Sequence, residues 1–128
     1  MFLFEEDNYL AKREGLRIIF TLLENKEQNK DFYNYFLSQK SHLKFTMTFL
    51  NDESTPIQVE AFRLLMVFLN APEEARGSKV NDTLRRNSHK MIEFLKEFLE
   101  DKEKDDDTIE ENKKIAIKAL KKMKKKTE

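Results

Sequence analysis

The chain has 128 residues, a length that suits one domain and equally a piece of a longer stack of helical repeats. Charged residues make up 38% of it, 24 basic against 24 acidic, so no net field draws in nucleic acid or an anionic membrane and any such attraction has to be local. The lack of cysteine excludes a disulfide framework and thiolate chemistry and suits a reducing, cytoplasmic setting, while two glycines and two prolines in a chain rich in Lys, Glu and Leu point to nearly all helix.

Met1 to Glu6 lack the basic start and apolar run of a secretory signal, so an intracellular protein is expected. Tyr9, Leu16, Ile19, Phe20 and Leu23 then recur at helical spacing and predict an amphipathic helix over 8–24, with Lys12, Arg13, Glu14 and Arg17 between them and Gly15 allowing a neighbour to approach closely. A polar linker, Asn25 to Asn29, leads to a short aromatic helix over 30–38, with Phe32, Tyr33, Phe36 and Leu37 on one face. Ser41 is the expected cap of the next helix, 41–51, whose stripe is Leu43, Met47 and Leu50.

The stretch Thr55 to Leu69 organises the rest. Thr55 is the expected cap and Pro56 the first helical residue, where a missing N–H costs nothing. From Ile57 onward apolar residues go almost all the way round, interrupted by Gln58, Glu60 and Arg63, so the helix over 55–70 must be covered on most sides. It is shorter than the roughly 20 apolar residues that span a bilayer. After Pro72 the pattern weakens, which predicts a short, partly exposed helix over 74–86, and Asn87 or Ser88 is the expected start of a stronger one over 88–100 carrying Met91, Ile92, Leu95, Phe98 and Leu99. A charged loop is expected from Asp101 to Asp107, and Thr108 with Glu111 reads as a capping box opening a last helix over 108–124.

Long helices therefore start near residues 8, 55 and 108 with shorter ones between them, a period of roughly 46 to 54 residues close to the armadillo and HEAT periods of about 40 to 47. The fold class is all-α: an armadillo- or HEAT-like right-handed superhelix of about seven helices in a single domain. The first unit is a lone helix, and its apolar lead Phe2, Leu3 and Phe4 either replaces upstream repeats or marks where a longer chain was cut.

Chemistry is scarce. Asp101, Glu103 and Asp105 alternate as in a calcium loop, but Asp106 stands where the turn wants Gly and Asn112 where a bidentate Glu should close the site, so no metal is expected. His42 and His89 fall at polar helix starts with nothing to complete a catalytic or metal set, and read as surface residues. Lys113 to Lys126 form a basic patch that offers an alternative function, nucleic-acid binding, although no aromatic residue interleaves it and cations favour a helix C-terminus in any case. No serine-histidine-acid set, glycine-rich phosphate loop or apolar carboxylate pair occurs, so neither catalysis nor a cofactor is expected. The distinctive region is Phe32 to Phe49, dense in aromatics and flanked by Lys26, Lys40, Lys44 and, further on, Arg85 and Arg86. Most of these aromatics read as core; part of the cluster can line a groove with a basic rim, suited to an aromatic and acidic peptide.

The runs Asn8-Tyr9-x-x-Lys12-Arg13-x-x-Leu16, Leu43-Lys44-x-x-Met47-x-x-Leu50-x-Asp52-x-Ser54, Ile57-Gln-x-Glu60-Ala-Phe62 with Val67-Phe68 and Pro72, and Ile92-Glu-Phe-Leu95 stand out. On these residues the sequence resembles the calcium-binding protein 39 family, the mouse-protein-25-like scaffolds of armadillo-type fold. The resemblance covers almost the whole chain, against about the C-terminal third of the family. It implies a non-catalytic adaptor that binds protein kinases and pseudokinases of the sterile-twenty class, stabilises their active conformation and takes a Trp-Glu-Phe type tail in a C-terminal pocket. By the same resemblance Tyr9 and Arg13 are concave-face contacts to the kinase and Met47 is part of the tail pocket. Lys44 lies one turn before Met47, Arg86 stands where the family has a basic pocket residue, and Lys26 matches another such position across a linker one residue longer.

Overall fold

The computed structural model describes residues 9–104 and 106–127. The described residues form seven α-helices and no strand: α1 Tyr9–Glu24, α2 Lys30–Ser38, α3 Lys40–Leu50, α4 Thr55–Asn70, α5 Ser78–Glu97, α6 Glu100–Glu103 and α7 Asp107–Thr127, with a 3-10 turn at Glu73–Ala75. The all-α expectation holds.

The centre is α4, in which Ile57, Ala61, Phe62, Leu64, Leu65, Phe68 and Leu69 are buried along with Glu60 and Met66. Such a helix is stable only between neighbours: α1 flanks it on one side and α7 on the other, while α3 packs behind it. Helices α1, α4 and α7 thus form one ladder, and α3 with α5 forms a second layer against it, α2 bridging the two. Phe68 meets Phe36 of α2 at 5.5 Å and Phe62 meets Phe98 edge-on at the same separation, so α4 ties together segments far apart in the chain. Each fully buried Leu or Phe in this core contributes about 1.5–3 kcal/mol. Across the first rung Lys12, which the spacing put on the polar face of α1, is buried; its ammonium lies 3.7 Å from Asp52 and over the Phe49 ring.

The expected bounds of α4 hold, whereas its cap and the boundaries or caps of α3, α5, α6 and α7 differ from expectation. The two helices expected over 74–86 and 88–100 are one continuous α5 of 20 residues, preceded by the 3-10 turn. Asn87 and Ser88, expected as a helix start, instead turn their side chains back onto the preceding turn, Asn87 Nδ2 donating to the Thr83 carbonyl at 2.8 Å and Ser88 Oγ to that of Arg85 at 2.8 Å. The residue types that cap a helix can also sit inside one when they bond backward. Gly77, expected inside the first of these helices, lies just before α5 with an extended backbone. Caps elsewhere also shift. α4 starts after Ser54, whose N–H donates to the Asp52 carboxylate, so Thr55 lies within the helix; α3 starts before Ser41, at Lys40. At α7 Asp106 takes the capping role expected of Thr108, its carboxylate accepting the Thr108 N–H at 3.0 Å. Between α5 and α7, Glu100–Glu103 is a helical turn and not the start of a charged loop; Leu99 before it lies in the left-handed region at φ 54° and packs on the core. Asp105 of the calcium-like run lies outside the described residues.

Candidate functional site

The continuity of α5 makes the site. With no break at Asn87, residues Asn87, Lys90, Met91, Phe94 and Leu95 recur at three- and four-residue spacing and share one face of the helix. That face meets Met47, Leu50 and Asn51 at the end of α3, over Leu65 of α4, and encloses a groove of about 250 Å³. Its base is apolar, since Leu50, Leu65 and Leu95 are buried, and Met47 and Phe94 are half-buried on its walls. Its rim is polar and carries one cation, Lys90, which is exposed and forms no ion pair among the described residues.

The six residues singled out in the sequence do not all converge here. Met47 lines the groove, and Lys44, exposed, lies one turn before it on α3. Arg86 does not line it; it is exposed on α5 four residues before Lys90, one helical turn along the same side. Lys26 lies at a different recess, its ammonium 5.8 Å from the Tyr33 ring centroid, with no lining residue in common with the Met47 groove. Tyr9 and Arg13 stand on α1, Tyr9 exposed and Arg13 half-buried with a buried Nε that finds no hydrogen-bond partner among the described residues. On the ladder beside α1, Glu60 Oε2 is likewise buried without a hydrogen bond among the described residues, 3.5 Å from Arg63, whose guanidinium lies over Phe20.

Lys90 was not among the candidates, and the signal for it was its four-residue spacing from Arg86, readable only across an unbroken helix. The aromatics of Phe32 to Phe49 are mainly core, as Phe36 and Phe49 show, and of that stretch Met47 alone reaches this groove. His42, expected on the surface, belongs to the same packing: its ring stacks on Phe36 at 4.7 Å and its Nδ1 donates to the Phe36 carbonyl at 3.0 Å. His89 is exposed in the middle of α5. Among the described residues no three His, Asp or Glu side chains gather as a metal site, and no helix is long and apolar enough to cross a membrane.

Two layers of helices with a half-apolar groove between repeats define the class: an all-α helical-repeat protein of the armadillo or HEAT kind. Residues 1–124 match the profile of the Mo25-like family. The chain belongs to that family. It is 31% identical over 94% of its length to a Mo25-like protein of Schizosaccharomyces pombe, and 31% identical over 96% to the mouse calcium-binding protein 39-like protein. A degreening-related protein, dee76, of Auxenochlorella protothecoides is 32% identical over 92% of the chain. The chain spans 36%, 35% and 35% of these three relatives, so it matches about a third of each.

Proposed function

We propose that this chain is the tail-binding part of a non-catalytic cytoplasmic scaffold for kinases or pseudokinases of the sterile-twenty class, and that the Met47 groove takes an aromatic, acidic tail of the Trp-Glu-Phe type. Membership of the Mo25-like family supports a scaffold or adaptor role in general. The observation that carries the finer reading is the groove itself: an apolar base walled by Met47 and Phe94, with Lys90 on the rim and Arg86 one turn away. An aromatic anchor desolvated in such a groove supplies most of the affinity, and the cations fix an acidic side chain or a terminal carboxylate. Tyr9 and Arg13 on α1 are the contacts to the kinase domain in this reading. Without upstream repeats to support the kinase domain, tail capture is expected to survive while activation is lost.

Methyl NMR of methionine-labelled protein tests the proposal. A Trp-Glu-Phe peptide is expected to shift the Met47 and Met91 resonances and leave Met123 unmoved. Shifts confined to other methionines would refute it.

A further inference from the structure

A second groove, of about 510 Å³, lies at the far side of the ladder from α1, between α7, the end of α4 and the start of α5. Helix α7 turns Ala116 and Leu120 to the core, and beside that buried stripe runs another: Ile115, Lys118, Ala119, Lys122 and Met123. These recur at three- and four-residue spacing and form a continuous face, with Ile115, Lys118 and Lys122 exposed and Ala119 and Met123 half-buried against the core at its base. Ile115 is 46% exposed, although an isoleucine there has nothing to gain from water. Across the groove Leu69 adds apolar surface, and Arg85 stands on the opposite wall, paired with Glu73 and Asp82.

Charge selects the occupant. In the lining Arg85 is already paired with Glu73 and Asp82, and the buried Arg76 is bonded to Asn81 and to the Phe68 and Ala71 carbonyls, so the charge left to meet a partner is that of Lys118 and Lys122. Lys118 and Lys122 are exposed and form no ion pair among the described residues. They are four residues apart, about one helical turn, which matches carboxylates three or four residues apart on a partner helix. Ile115, Lys118, Ala119 and Lys122 also form the four-residue diamond into which a facing helix sets an apolar knob, and the small Ala119 at one corner widens it. A nucleic acid fits worse: no ring in the lining can stack a base.

We infer that this groove is a docking site, separate from the Met47 groove, for an acidic amphipathic helix of a protein partner. Apolar side chains of the partner enter between Ile115, Ala119 and Met123, and its carboxylates meet Lys118 and Lys122.

The test is fluorescence anisotropy of the chain with a labelled, end-capped helical peptide of repeating Leu-Glu-Glu-Leu-Leu-Glu-Lys units, whose leucines keep to one face. Lys118→Glu with Lys122→Glu, and separately Ile115→Glu, are expected to weaken binding about tenfold or more, while Lys121→Glu and Met47→Ala leave it within about twofold. All these substitutions except Met47→Ala fall on exposed side chains, and circular dichroism of every variant checks the fold. No binding to the wild-type chain, an equal loss in Lys121→Glu, or displacement of the peptide as readily by polyglutamate or single-stranded DNA would each overturn the inference.

Discussion

Arg76 Nε donates to Asn81 Oδ1 at 2.6 Å, and this pair closes the end of α4. The Arg76 Nη1 reaches back to the carbonyls of Phe68 at 2.7 Å and Ala71 at 3.0 Å, groups at a helix end with no partner inside the helix. Asn81 is itself held by donating to the Glu73 carbonyl. Burial lowers the Arg76 pKa, with Glu73 opposing, and the hydrogen bonds offset that desolvation. Arg76→Met removes all of them and leaves two carbonyls unpaired; a loss of about 2–4 kcal/mol is expected, read as a fall in the urea midpoint. An unchanged midpoint would show that water replaces the guanidinium without cost.

Gly77 follows directly, and its backbone conformation is one that any residue can adopt. What excludes a side chain is the neighbour: a Cβ at this position would collide with the Ser38 carbonyl oxygen at the end of α2, where Gly77 N–H donates to the Leu37 carbonyl. Gly77→Ala therefore pushes α2 away from α5, and a destabilisation of about 1–3 kcal/mol is expected in thermal unfolding.

Lys12 joins α1 to the turn before α4. With its ammonium near Asp52 and its stem packed in the interface, Lys12→Ala is expected to lower stability by about 1–3 kcal/mol, more than an exposed lysine such as Lys44 changed in the same way. Equal effects at both positions, measured by chemical denaturation, would contradict the buried role.

His42 is held from two sides, stacked on Phe36 and bonded to its carbonyl. His42→Ala is expected to cost about 1–2 kcal/mol and to loosen the junction of α2 and α3, seen as faster amide exchange at Thr46, which donates its hydroxyl to the His42 carbonyl.

The parts legible in the sequence were those set by periodicity. The apolar circuit of α4 requires flanking helices whatever their identity, and the spacing of Leu16 and Leu23 on α1 and of Ala116 and Leu120 on α7 marks the sides that supply them. The parts that were not legible depend on partners distant in the chain. Asn87 and Ser88 look like caps, and only their backward hydrogen bonds show that the helix runs through them. Arg76 sits in a stretch with little apolar pattern, because its work is done on carbonyls of the preceding helix. Lys12 and His42 are polar by type and buried by position. For the groove, Met47 could be named from family resemblance, whereas Lys90 shares its face only because α5 is unbroken.

The affinity of a Trp-Glu-Phe peptide for the wild-type chain and for Met47→Ala, measured by fluorescence anisotropy, bears most directly on the tail groove. Met47 is half-buried, so the variant is expected to stay folded by circular dichroism. The expected result is an increase in Kd of about tenfold or more, with a comparable loss in Lys90→Glu. Wild-type affinity in both folded variants would mean that the tail binds elsewhere or not at all.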